Sequence, residues 1–164
     1  MPGVRIVGID PGLLRTGYAV IDAHRPMAPR LIEAGLIRLP QRSSVASRLV
    51  QLHDDLAELL AEHEPAVVSV EEVFVNAKFA RTAVTMAHAR GVVLLCAQRA
   101  GARLVELAPA TIKKAIAGNG QATKPQMQRA VAAQCGLVTP PKSADVADAI
   151  AMALCACLRG ARGH

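Results

Sequence analysis

Between Val4 and Asp10 the chain runs almost without polar interruption (VRIVGID) and then breaks at Pro11-Gly12. A short apolar run closed by a turn dipeptide predicts a buried strand. Gly17–Asp22 (GYAVID) and Arg30–Leu39 (RLIEAGLIRL) repeat the pattern, separated by the Pro-Gly turn and by the loop HRPMAP. The three runs predict an antiparallel meander. After Ser43-Ser44 the period changes: Val45, Leu49, Leu52, Leu56, Leu59 and Leu60 recur at helical spacing. That predicts an amphipathic helix capped by serine and ended at Glu64-Pro65. Ala66–Val70 (AVVSV) returns to strand character and terminates in Glu71-Glu72.

The second half is mostly helical. Thr82 to Ala100 predicts a helix whose VVLLCA segment is apolar on nearly every side, as suits the core or a subunit interface. Arg103–Leu107 reads as a short strand, and Pro109 leads a helical turn through Lys114. Ala117–Thr123 (AGNGQAT) is a polar, glycine-containing loop. Lys124-Pro125 opens a helix that runs to Cys135-Gly136. Thr139–Ser143 (TPPKS) is an extended linker into a last helix from Ala144 to Leu158, and RGARGH is a polar tail. The order β-β-β-α-β-α-β followed by helices predicts one α/β domain, 1–158, with a tail at 159–164. Its sheet has five strands and is mixed, three antiparallel and then parallel, with helices on both faces.

Composition adds exclusions. With 52% hydrophobic and 20% charged residues in 164, the chain is no disordered segment. Aromatics are 2%, so the core is aliphatic and alanine-rich, which favours helices packed closely on a sheet. The longest uncharged stretch, Ala130 to Pro141, is too short and too broken to span a bilayer. The N-terminus leads straight into the first strand with no leader-like segment. A soluble, cytoplasmic protein is expected. Cys96, Cys135, Cys155 and Cys157 have no Cys-x-x-Cys spacing and predict buried thiols in a reducing compartment.

The net charge of +6 is unevenly placed. Residues 1–82 hold nine Lys/Arg and ten Asp/Glu; residues 83–164 hold ten Lys/Arg and only Glu106, Asp145 and Asp148. A basic half suggests a polyanionic partner, nucleic acid first. The acids carry the chemistry. Asp10 ends the first strand and Glu71 the fourth; side by side and parallel, these strands would bring both carboxylates to one sheet edge, where α/β proteins bind ligands. Asp145 and Asp148, at i and i+3, share one face at the start of the last helix. Four carboxylates gathered there would repel one another unless a hard cation such as Mg²⁺ or Mn²⁺ lay between them. Blander roles exist: Asp10 as a turn residue, Asp145 as a helix-start acid. Asp148 is harder to dismiss inside the apolar run VADAIAMALCACL. Strand alternation alone does not choose between Glu71 and Glu72.

The segments IVGIDPGLLRTGYAVID, VEEVFV, LAPATIKKAIAGNGQATKPQMQRAV and KSADVADAIAMALC, in this order along nearly the whole chain, resemble the RuvC family of bacterial Holliday-junction resolvases. The resemblance implies a ribonuclease-H-like fold and a metal-dependent endonuclease that nicks four-way DNA junctions symmetrically in recombination and repair. It matches Asp10, Glu71, Asp145 and Asp148 to the family's metal-binding carboxylates, with two Mg²⁺ (or Mn²⁺) ions per active site. Lys113 and Lys124 match basic residues near the scissile phosphate, with Lys114 an alternative to Lys113. Phe74 matches an aromatic at the junction centre, against the plain alternative of a core residue. Lys78 and Arg81 fall in the same DNA-binding stretch. The helix near 82–100 matches the homodimer interface, and a branch-migration complex is implied as a partner. The Gly8-x-Asp10-x-Gly12 turn also occurs in sugar kinases and actin-like ATPases, but those need two copies of the fold. A binding protein without catalysis would be expected to have lost some of the four acids.

Overall fold

β1 (Arg5–Asp10) turns at Pro11-Gly12 into β2 (Arg15–Asp22), which pairs in turn with β3 (Arg30–Arg38), both pairings antiparallel. The turn is closed by the buried Thr16, whose hydroxyl accepts from the Gly12 amide at 3.1 Å and donates to the Gly12 carbonyl at 3.0 Å. β4 (Val67–Glu71) then lies parallel to β1, and β5 (Arg103–Leu107) parallel to β4. The sheet order is β3-β2-β1-β4-β5, the mixed five-stranded arrangement expected. This computed structural model describes residues 4–25, 27–74, 78 and 80–161.

Helices cover both faces. α1 (Val45–His63) begins at Ser44, whose side chain accepts from the Ser47 amide. With α2 (Ala80–Arg99) it packs on Val7, Ile9, Val20, Val68 and Val70. The opposite face, built on Ile6, Ala19, Ile21 and Val67, carries α3 (Pro109–Ala117), α4 (Lys124–Cys135) and α5 (Ala144–Ala161). Among the described residues no helix is long and apolar enough to cross a membrane.

Three expectations are adjusted. α3 continues past Lys114 to Ala117, where Gly118 at φ 75 caps it in the left-handed region. α5 continues to Ala161, so the expected polar tail is helical over its first three residues, and its last three lie outside the described residues. Cys135 is only half-buried at the end of α4, whereas Cys96, Cys155 and Cys157 are buried. Cys155 and Cys157 face different directions yet are both buried, because α5 lies between the sheet and α3/α4.

α5 reaches the sheet because of two glycines. A Cβ on Gly8 would stand 2.0 Å from the Ala149 carbonyl oxygen, and one on Gly17 would stand 2.1 Å from that of Asp145. Any side chain at either position would lift the helix, and with it Asp145 and Asp148, away from β1 and β2.

Candidate active site

Strand parity decides which acids meet. In β1, Ile6 and Gly8 face α5, and so does Asp10 two residues further on. In β4, the register Ile6↔Val67 and Gly8↔Ser69 puts Val67, Ser69 and Glu71 on that same face. Glu71 therefore joins Asp10 at the parallel edge, resolving the choice that alternation left open between Glu71 and Glu72. α5 completes the group. Ser143 accepts from the Val146 amide at 3.4 Å to start the helix, and Asp145 and Asp148 follow in its first turns.

The electrostatics are those of a crowded acidic site. The Asp10 carboxyl is pushed up to about 8, first by burial and then by the charges of Asp148, Asp145 and Glu71. Asp145 also raises Asp10 through its nearby side chain. Burial and then Asp148 raise Glu71, while Lys113 pulls it back. Burial raises Asp148 against the opposing fields of Lys124 and Lys113. Lys113 thus acts on two members of the cluster and Lys124 on one. Lys114 is exposed, and its backbone carbonyl receives the Gly118 amide.

A cleft of about 370 Å³ opens beside the acids. Its lining includes Asp10, Glu71 and Asp148 together with Phe74 and Met86. Phe74 is 71% exposed, which removes the core reading for it. Lys78 and Arg81 are exposed just beyond, Arg81 in the first turn of α2.

Sequence reasoning passed over Arg15, whose Nε lies 3.4 Å from Asp145 Oδ2. The signal was available: Arg15 shares strand parity with Gly17, Ala19 and Ile21, the face that α5 covers. It also passed over Glu33, Glu62 and His63, which bring one ligand atom each within 4.8 Å of one another. There, however, Glu33 is already engaged, accepting from the Tyr18 hydroxyl at 2.7 Å and meeting His63 Nε2 at 3.1 Å.

Known proteins of one family are similar to this chain along nearly its whole length. The family described as "Crossover junction endodeoxyribonuclease RuvC" matches residues 6–156. A protein of that name from Halorhodospira halophila is 48% identical over 151 residues, 92% of this chain and 88% of its own. One from Rhodopirellula baltica is 43% identical over 150 residues, covering 92% and 84%. The solved structure of Thermus thermophilus RuvC in complex with a Holliday junction substrate superposes with a TM-score of 0.90 at 29% identity, over 98% of this chain and 96% of that one. A yeast mitochondrial Holliday junction resolvase, 15% identical with a TM-score of 0.66, shares the fold.

Proposed function

This chain belongs to the RuvC family of crossover junction endodeoxyribonucleases, and on that premise we propose that it resolves four-way DNA junctions by paired symmetric nicks, serving recombination and repair in the bacterial cytoplasm. The observation that carries the reading is the meeting of Asp10, Glu71, Asp145 and Asp148 at one sheet edge, with Lys113 and Lys124 acting on it. We read the chain as one nuclease domain.

The family is metal-dependent, and the donor set here fits a hard divalent cation, because every donor is a carboxylate oxygen. The raised Asp10 points the same way, since a cation can replace the proton that burial and three acidic neighbours otherwise demand. The four carboxylates would hold Mg²⁺ or Mn²⁺, two ions per site, which when bound supply an activated water and stabilise the leaving oxygen.

The remaining steps belong to the chain's own groups. Lys113 and Lys124 neutralise charge building on the scissile phosphate. Arg15 holds Asp145 on the α5 side. Lys78, Arg81 and Lys114 contact backbone phosphates. Phe74 stacks on an unpaired base at the crossover, an interaction worth roughly 1–3 kcal/mol.

A homodimer gives two such sites the two-fold relation that a four-way junction also has. α2 suits the interface. Val84, Ala87, His88, Gly91 and Leu95 form an exposed stripe along it, and a Cβ on Gly91 would meet nothing within 4 Å. A glycine inside an exposed helix costs about 1 kcal/mol against alanine, and close approach of a second helix is a reason to keep it. A branch-migration complex is the further partner implied by family membership.

The test is cleavage of an end-labelled mobile four-way junction beside linear duplex and RNA/DNA hybrid, in Mg²⁺, Mn²⁺ or EDTA. Paired, metal-dependent nicks confined to the junction are expected. Binding without nicking would make the protein a junction-binding module, and cleavage of the hybrid instead would overturn the substrate.

A further inference from the structure

Of the three carboxylates in the basic half, Asp145 and Asp148 belong to the acidic edge and Glu106 does not. Glu106 lies on β5, its side chain 49% exposed, and is ion-paired to Nη2 of Arg90 on α2. The Arg90 side chain is only 11% exposed. A guanidinium buried this far needs partners for its charge and its donors, and Glu106 supplies one.

The other partner is informative. Arg90 Nη1 donates to the backbone carbonyl of Glu71 at 2.8 Å. At that point β4 is losing its neighbours: its ladder with β1 ends at Gly8↔Ser69, and only β5 still accompanies it, through Glu71↔Leu107. The guanidinium therefore fastens the end of β4 from the α2 side, at the very residue whose carboxyl is raised by the charge of Asp148 on the α5 side. A planar fork can hold a carboxylate and a carbonyl at once, which a lysine ammonium cannot do in the same geometry.

We propose that Arg90, held by Glu106, is a positioning residue that presents the Glu71 carboxylate to the divalent-cation site and makes that presentation depend on the seating of α2. The inference rests on the metal-dependent reading above. The next residue, Gly91, lies on the exposed stripe of the same helix. Whatever packs on that stripe bears on the helix turn that holds Glu71.

The experiment is Mn²⁺ binding to the metal-free protein without DNA, followed by electron paramagnetic resonance. It compares the wild type with Arg90→Gln, Arg90→Lys and Glu106→Ala. Melting temperature and junction binding in EDTA are measured on each variant. Loss of a group that orients a metal ligand typically weakens metal binding about 10–100-fold, and Arg90→Gln is expected in that range. Arg90→Lys should fall between it and the wild type, and Glu106→Ala should weaken Mn²⁺ binding several-fold. Junction binding in EDTA should hold in all three, which a merely structural defect would not allow. Folded Arg90→Gln with wild-type Mn²⁺ affinity overturns the proposal. If Arg90→Gln does not fold, Glu106→Ala decides, because a half-exposed side chain can be removed without opening the core. Wild-type protein that takes up no Mn²⁺ overturns the metal-dependent reading itself, before any variant is compared.

Discussion

Asp10 combines burial with three acidic neighbours, and its carboxyl is pushed up to about 8 from an ordinary 3.8. The consequence for stability has a definite sign. Below pH 4 the group is protonated folded or unfolded and costs nothing. Between pH 4 and about 8 the unfolded chain releases the proton while the folded chain keeps it, so stability falls as pH rises. In EDTA, the melting temperature of wild type relative to Asp10→Asn should therefore drop from pH 5 to pH 8, and Mg²⁺ should flatten the difference. A pH-independent difference would place Asp10 outside a crowded acidic site. Asp148→Asn tests one proposed ligand: nicking should fall to background while junction binding in EDTA persists. Retained nicking would remove Asp148 from the metal site. At this scale the sequence was readable where a charge sat in an apolar run, as at Asp148. It was unreadable where two neighbours were chemically equivalent: Glu71 against Glu72 depended on strand register, and Lys113 against Lys114 on helix phase.

The elements owe their positions to small residues as much as to large ones. α5 lies close on β1 and β2 because Gly8 and Gly17 offer no Cβ to its backbone. Gly17→Ala would drive a methyl to 2.1 Å from the Asp145 carbonyl oxygen. Overpacking of this kind costs about 1–3 kcal/mol. The melting temperature should drop, and nicking should fall further than the stability loss accounts for, since the displaced segment carries two of the four carboxylates. A variant that melts lower but nicks normally would show that the helix start relaxes without moving the acids. Periodicity placed every strand and helix of the described residues; helix ends were less legible. α3 runs on to the glycine that caps it, and α5 continues past Leu158 through Arg159, Gly160 and Ala161.

For the whole molecule, α2 is the element with two roles. Ala89, Val93, Cys96 and Ala97 bury one side of it against the sheet and α1, while Val84, Gly91 and Leu95 leave the other side open. Its VVLLCA segment suggested burial without naming a partner, and the division between intramolecular core and free stripe required the packed structure. The proposed dimer through this stripe predicts that Leu95→Glu yields a monomer in analytical ultracentrifugation, leaves the far-ultraviolet circular dichroism unchanged, and abolishes paired nicking. A variant that stays dimeric would move the interface elsewhere. Charge separates along with the layers. Lys113, Lys114 and Lys124 accompany the helices that frame the acidic edge, and the acids of α1 lie across the sheet from them.

The sequence by itself determined the class of fold, the order of its strands and helices, and the residue types available for chemistry. These follow from backbone periodicity, turn residues and capping, all local in the chain. For Phe74 the sequence left a junction aromatic and a core residue both open, and its exposure in the structure sets the core reading aside. Arg15 and Arg90 took their meaning from tertiary structure alone. Arg15 finds Asp145 across 130 positions of sequence, and Arg90 joins Glu71 to Glu106 across three elements. Such contacts are set by sheet register and helix seating, and neither is written in any short stretch of residues.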